Sequence, residues 1–124
     1  MNLYQEELTD HYRNPRNWGT VANPDFSSGM HNPSCGDSVL FEGRVVDRKI
    51  AQVAFQGKGC VISLAAASML SQTALNKPVS ALLALNKESM LSLIGMDLGP
   101  VRLKCALLPL EALQAGLTTL SGRE

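Results

Sequence analysis

Net charge is missing from this chain, in which 11 basic residues cancel 11 acidic ones, and no run of Lys or Arg occurs anywhere in it. Such a chain has no field with which to hold a phosphate backbone, so nucleic acid is not an expected partner. Long apolar windows are missing too. None approaches the roughly 20 residues of a membrane span, which removes the bilayer as an expected partner. The first ten residues carry Glu6, Glu7 and Asp10 where a secretory signal needs a basic stretch followed by an apolar one, so a cytoplasmic protein is expected. No internal repeat and no low-complexity tract interrupts the sequence. What is present is globular material: 124 residues at 45% hydrophobic content, enough for one continuous core and hence for a single expected domain over residues 1–124.

Cysteine is scarce as well, with three residues in all. An odd count in an unexported chain argues for reduced thiols whose duty is metal binding or catalysis rather than a bridge. Each has small or charged neighbours: Cys35 in Asn32-Pro33-Ser34-Cys35-Gly36-Asp37, Cys60 in Gly57-Lys58-Gly59-Cys60, and Cys105 in Arg102-Leu103-Lys104-Cys105-Ala106. Three thiolates plus one carboxylate make a four-ligand set. Asp37 follows Cys35 closely in a turn that Pro33 and Gly36 can bend, so both side chains could face one ion. Cys60 opens an apolar stretch that reads as a helix, which places its sulfur where a helix N-terminus favours negative charge. Lys104 and Arg102 beside Cys105 should lower that thiol's pKa, so all three cysteines are expected to lean toward the thiolate. His31 stands shortly before Cys35 and could also reach a metal, whereas His11 reads as a packed residue of the first helix. Taken singly, Cys60 reads equally well as a small buried hydrophobe, and Asp37 reads more readily as a turn residue bonding its own backbone, although beside Cys35 and within its motif the ligand reading is favoured. Spacing alone does not bring the three thiols together.

Asn2 can cap a first helix, with Gln5 as its box partner, and Leu3, Tyr4, Leu8, His11 and Tyr12 recur at helical spacing up to Asn14-Pro15. Residues 16–34 are rich in Asn, Pro, Gly and Ser and should be irregular. Ser38 to Val46 alternates, with Val39, Phe41 and Val45 on one face. After Asp47-Arg48-Lys49 a second strand alternates through Ala51, Val53 and Phe55, which predicts a β-hairpin delivering the chain to Cys60. From Cys60 to Ala74 the positions Ile62, Ala65, Ala66, Met69, Leu70 and Thr73 predict a buried helix, closed by Asn76-Lys77-Pro78. A short helix from Pro78 to Leu85, another over Lys87 to Ile94 ended by Gly95, a loop from Met96 to Pro100, and a last helix begun by Pro109 complete the reading. The sum is α+β: a small antiparallel sheet followed by helices packed on it.

The motifs Asn32-Pro33-x-Cys35-Gly36-Asp37, Gly57-x-Gly59-Cys60-x-Ile62-Ser63 and Lys104-Cys105-Ala106, preceded by His11-Tyr12-Arg13-Asn14-Pro15-Arg16-Asn17, resemble the iron-sulfur cluster assembly scaffold family, the IscU and NifU N-terminal group. The resemblance covers essentially the whole chain in order. Gly57 to Ser63 with Ala67-Ser68-Met69, and Arg102-x-Lys104-Cys105, are more similar to the SufU branch. The IscU pattern has histidine where Lys104 stands here. The insertion usual in SufU-type proteins between the second and third cysteines has no room in Val61 to Lys104. The resemblance implies a three-stranded antiparallel sheet, of which the residues alone gave two strands. It implies Cys35, Asp37, Cys60 and Cys105 as ligands, a cysteine desulfurase as partner, and apo iron-sulfur proteins or other assembly factors as recipients. In the scaffold role these residues hold a transient [2Fe-2S] cluster. In the SufU role they hold Zn²⁺, and Cys105 accepts sulfur.

A scaffold without turnover of its own and a zinc-dependent sulfurtransferase are therefore the leading readings. A small structural zinc module is disfavoured by the Gly-rich surroundings of the ligands. A cysteine hydrolase is disfavoured because no histidine lies near Cys60 or Cys105 in sequence. Lys104 reads as a cation that stabilises a thiolate or shields a cluster, or almost equally well as a solvated surface lysine.

Overall fold

A computed structural model describes residues 3 to 121. Its elements in order are α1 (Leu3–Arg13), β1 (Phe26–Asn32), β2 (Asp37–Val46), β3 (Lys49–Lys58), α2 (Val61–Ala74), α3 (Val79–Leu83), α4 (Lys87–Ile94) and α5 (Pro100–Ser121). The strands form an antiparallel sheet in the order β1-β2-β3, and α2 and α5 pack on it, in agreement with the expected α+β architecture. Phe41, Phe55, Val39 and Ile50 from the sheet meet Leu70, Leu113 and Leu117 from the helices in a fully buried core. The proposed Asn2 cap lies outside the described residues.

β1 corrects the expectation of an irregular stretch over residues 16–34. Its sequence, Phe-Ser-Ser-Gly-Met-His-Asn, offers only Phe26 and Met30 as large apolar residues, and Phe26 alone is buried. The strand is made by its register with β2, from Phe26 opposite Gly43 to Asn32 opposite Asp37, rather than by hydrophobic alternation. Gly116 lets α5 cross it closely, since a Cβ there would lie 2.7 Å from the Phe26 ring and 3.1 Å from the Ser28 side chain.

The hairpin turn is tight. Asp47 and Arg48 both have positive φ, 52° and 64°, which is the backbone of a type I′ turn and matches the twist of the flanking strands. Just beyond it, Arg44 pairs with Gln52 and Val45 with Ile50, so Ala51 is left over as a bulge. That residue flips the pattern: Ala51 is exposed and Ile50 takes the buried place, where the simple alternation had put Ala51 with Val53 and Phe55.

A second correction concerns α5. The expected start at Pro109 is wrong, because the helix begins at Pro100 and runs through Pro109 to Ser121. Pro100 sits where a missing N–H costs nothing. At Pro109 the missing N–H leaves the carbonyl four residues earlier, that of Cys105, without its helical donor, and Ser63 Oγ from α2 lies 3.3 Å from that oxygen. Cys105 consequently lies inside a helix rather than on a loop approaching one.

α2 is buried on nearly every side, Ala65 through Ser71 without a break, so its serines must find partners inside the protein. Ser68 Oγ accepts the Arg16 N–H at 2.9 Å and lies 2.7 Å from His11 Nδ1. Ser71 donates to the Ser68 carbonyl at 2.7 Å, and Asn17 Nδ2 donates to Ser71 Oγ at 3.0 Å. The His11-to-Asn17 segment is thereby tied to α2 by polar bonds, and His11 is half-buried, as a packed residue should be.

Burial, then the Arg16 guanidinium, holds His11 below its ordinary pKa of 6.5, against the carboxylates of Asp10 and Glu7. A depressed folded-state pKa adds stability that is complete above the unfolded value and is lost as pH falls through the folded one. The melting temperature is expected to drop between about pH 7 and about pH 5, and His11→Gln should flatten that slope. A slope unchanged in His11→Gln would assign the acid limb to another group.

Candidate metal centre

The thiols come from three places. Cys35 lies in the turn between β1 and β2, where Gly36 takes φ of 79° and its N–H donates to the Asn32 carbonyl at 2.8 Å. Asp37 opens β2. Cys60 is the N-cap residue of α2, delivered by Gly59 at φ 146°. Cys105 projects from the second turn of α5, and the ridge of that helix brings it to the end of the hairpin.

One ligand atom each from Cys35, Asp37 and Cys105 lie within 4.8 Å of one another, although the three residues belong to a turn, a strand and a helix. Cys60 stands beside this trio rather than inside it. Its Sγ is 3.2 Å from Asp37 Oδ2, and its N–H donates to Oδ1 at 3.1 Å. Ser63 donates to Oδ2 at 2.5 Å. Asp37 is therefore the hub: buried to 2% exposure, it has both oxygens bonded by the mouth of α2. Gly59 makes that approach possible, since a Cβ there would overlap the Asp37 carboxylate.

Burial opposes the charge on Asp37. Hydrogen bonds from Ser63, from the Cys60 and Cys35 thiols and from the Cys60 amide outweigh it and hold the carboxyl below the usual carboxylate range. Cys105 behaves in the opposite way to expectation. Burial, then Cys60, then Asp37 and Cys35, push its thiol up to about 12, and no cation contributes. Lys104 and Arg102 are exposed, and on a helix Lys104 points roughly 100° away from its neighbour, so adjacency in sequence is not adjacency of charge. The surroundings of Cys105 therefore favour the protonated thiol, and the expected cationic activation is corrected accordingly.

His31 does not join the cluster. It is exposed on β1 and lines, with Trp18, Leu40, Gln56 and Lys58, an open groove of 520 Å³ along the sheet. Ser63 is the residue that sequence reasoning passed over: it was visible only as a letter of the Cys60 motif, and its position three residues after the helix mouth was the available signal.

Thiols and a buried carboxylate gathered at the end of a three-stranded sheet define a class: a small α+β domain with a sulfur-rich cluster that could hold a metal ion. Residues 3–124 match the NifU-like N-terminal domain model, and the chain belongs to that family. It is 34% identical over 97% of its length to the zinc-dependent sulfurtransferase SufU of Bacillus subtilis, of which 92% is covered. That alignment spans 137 positions against the 124 residues here, so the relative carries residues that this chain lacks. It is 31% identical over 92% of its length to the iron-sulfur cluster assembly scaffold protein IscU of Escherichia coli, of which 91% is covered. Among solved structures, FiSufU of Fervidobacterium islandicum AW-1 superposes with a TM-score of 0.80 at 26% identity, over 90% of this chain and 94% of that one. A NifU-like N-terminal protein from Brucella abortus gives 0.81 at 19% identity, over 98% and 96%, which speaks for the fold alone.

Proposed function

We propose that this chain is an iron-sulfur cluster assembly scaffold whose Cys35, Asp37, Cys60 and Cys105 hold metal and receive sulfur from a cysteine desulfurase. The observation that carries the reading is the meeting of Cys35, Asp37 and Cys105 ligand atoms within 4.8 Å, with Cys60 Sγ 3.2 Å from the same carboxylate. The donor set fits zinc. Donors of a tetrahedral zinc site lie roughly 3.3–3.8 Å apart, so the trio needs only a small contraction, and three sulfurs with one carboxylate are donors that Zn²⁺ accepts. They suit equally a [2Fe-2S] cluster carried as cargo, for which a carboxylate is the weaker and more easily released grip.

When bound, a metal cation supplies the positive charge that keeps the thiols deprotonated. The residues do the remaining work. Asp37 is held for ligation by Ser63 and the Cys60 amide, and Cys35 is exposed enough to meet an incoming partner. Cys105 is the proposed acceptor: its thiolate attacks the outer sulfur of the desulfurase persulfide, the donor S–S bond breaks, and the desulfurase cysteine leaves as thiolate. The assembly partners, the desulfurase among them, and a cytoplasmic location belong to this reading. Among the described residues no helix is long and apolar enough to cross a membrane.

The match to Bacillus subtilis SufU supports a second reading, a zinc-dependent sulfurtransferase delivering persulfide sulfur to other assembly proteins. Elemental analysis of protein purified without air separates the two. Iron with acid-labile sulfide supports the scaffold, and one equivalent of zinc with no sulfide supports the sulfurtransferase. In either case Asp37→Ala should weaken zinc binding or shorten cluster lifetime. The metal-free variant should stay folded but melt lower than the wild type, because the Cys60 amide and Ser63 lose their acceptor, and unchanged zinc affinity in it would remove Asp37 from the ligand set.

A further inference from the structure

We propose that Ser63 is the positioning residue of the Asp37 carboxylate, holding it in the orientation from which it ligates metal. The inference rests on the reading of Cys35, Asp37, Cys60 and Cys105 as the metal-holding set. Ser63 is completely buried in the first turn of α2 and touches three of those four residues: Asp37 Oδ2 at 2.5 Å, the Cys105 carbonyl at 3.3 Å and Cys60 Sγ at 3.6 Å. Its hydroxyl has one proton to give. The short contact to a charged oxygen takes it, because a hydrogen bond to an ionised acceptor is the stronger one.

The rest of the geometry fixes the hydroxyl in place. α2 is packed on nearly all sides, so the serine cannot turn outward to water. The Cys105 carbonyl, which Pro109 leaves without an N–H, lies at 3.3 Å as the more distant, uncharged acceptor and does not compete with the carboxylate for the proton. Asp37 Oδ1 is meanwhile engaged by the Cys60 N–H, so each oxygen has a fixed donor from the same helix mouth. A hydroxyl that orients a ligating carboxylate in this way acts as outer-shell partners of metal ligands do, whose loss costs about 10–100-fold in affinity.

The test measures zinc affinity by competition with a chelating dye, and the visible spectrum of the Co²⁺-substituted protein, for the full chain and its variants. Ser63→Ala is expected to weaken zinc by about 10–100-fold and to shift the Co²⁺ ligand-field bands, while the metal-free protein stays folded with a modestly lower melting temperature. Ser63→Thr, which keeps the hydroxyl, should restore both affinity and spectrum. In an Asp37→Ala background Ser63→Ala should add nothing further, since the two side chains act through one bond. If Asp37→Ala weakens zinc and Ser63→Ala does not, the positioning role is wrong and the metal reading stands. An equal loss from Ser63→Ala in the Asp37→Ala background also overturns it. If Asp37→Ala leaves zinc affinity untouched, the metal reading and the positioning role fall together.

Discussion

Gly59→Ala is expected to abolish tight zinc binding while leaving the sheet and helices folded. Gly59 has φ of 146°, where an L residue is strained by roughly 1–3 kcal/mol. Strain is the smaller part. A Cβ at this position would overlap the Asp37 carboxylate and drive it from Ser63 and the Cys60 amide, so a loss of at least about 100-fold in zinc affinity should follow. Two controls separate the causes. Gly36→Ala, at φ 79° with open space around the added carbon, suffers strain without the clash. Gly99→Ala has neither and should behave as the wild type. Dye competition and thermal melts of all three variants decide the matter, and wild-type zinc affinity in Gly59→Ala would remove Asp37 from the ligand set.

The second large effect concerns Cys105. In metal-free protein near neutral pH, iodoacetamide should label Cys35 and Cys60, which are exposed, and leave Cys105 almost untouched. With its thiol pushed up to about 12, Cys105 holds much less thiolate than an ordinary cysteine, and at 5% exposure it is sterically guarded as well. Labelling rates by peptide mass spectrometry should differ by at least about 100-fold. Incubation of the metal-loaded chain with a cysteine desulfurase and cysteine should then add sulfur to Cys105 and raise the desulfurase's turnover, and Cys105→Ser should lose both effects yet still fold. Added sulfur on Cys35 or Cys60, with Cys105 unmodified, would reassign the acceptor.

The residues announced much of this arrangement, and the exceptions have identifiable physics. Glycine and proline marked the hairpin end, the mouth of α2 and the end of α4 because those positions need unusual backbone angles. β1 stayed hidden because an edge strand with one buried side chain leaves almost no alternation to read. The Ala51 bulge inverted a period that looked regular, since one extra residue moves every later side chain to the other face. Pro109 misled because the helix runs through it, and the carbonyl it leaves free faces a polar side chain of α2, a neighbour with no trace in local sequence. Charge at Cys105 failed for the same reason: Lys104 is a neighbour along the chain, whereas Asp37 and Cys60 are neighbours in space.

Cys35 and Cys105 bracket β2, β3, α2, α3 and α4, so anything that joins them closes a loop over most of the chain. An ion held by both would then also be a reversible cross-link, stabilising the folded form to the extent that it binds that form more tightly than the unfolded chain. At a free concentration a hundred times its dissociation constant it would add about 2.7 kcal/mol to folding. The chain that has surrendered its load would accordingly be the shorter-lived one in the presence of a protease, and its turnover in the cell would report how often the thiols stand empty.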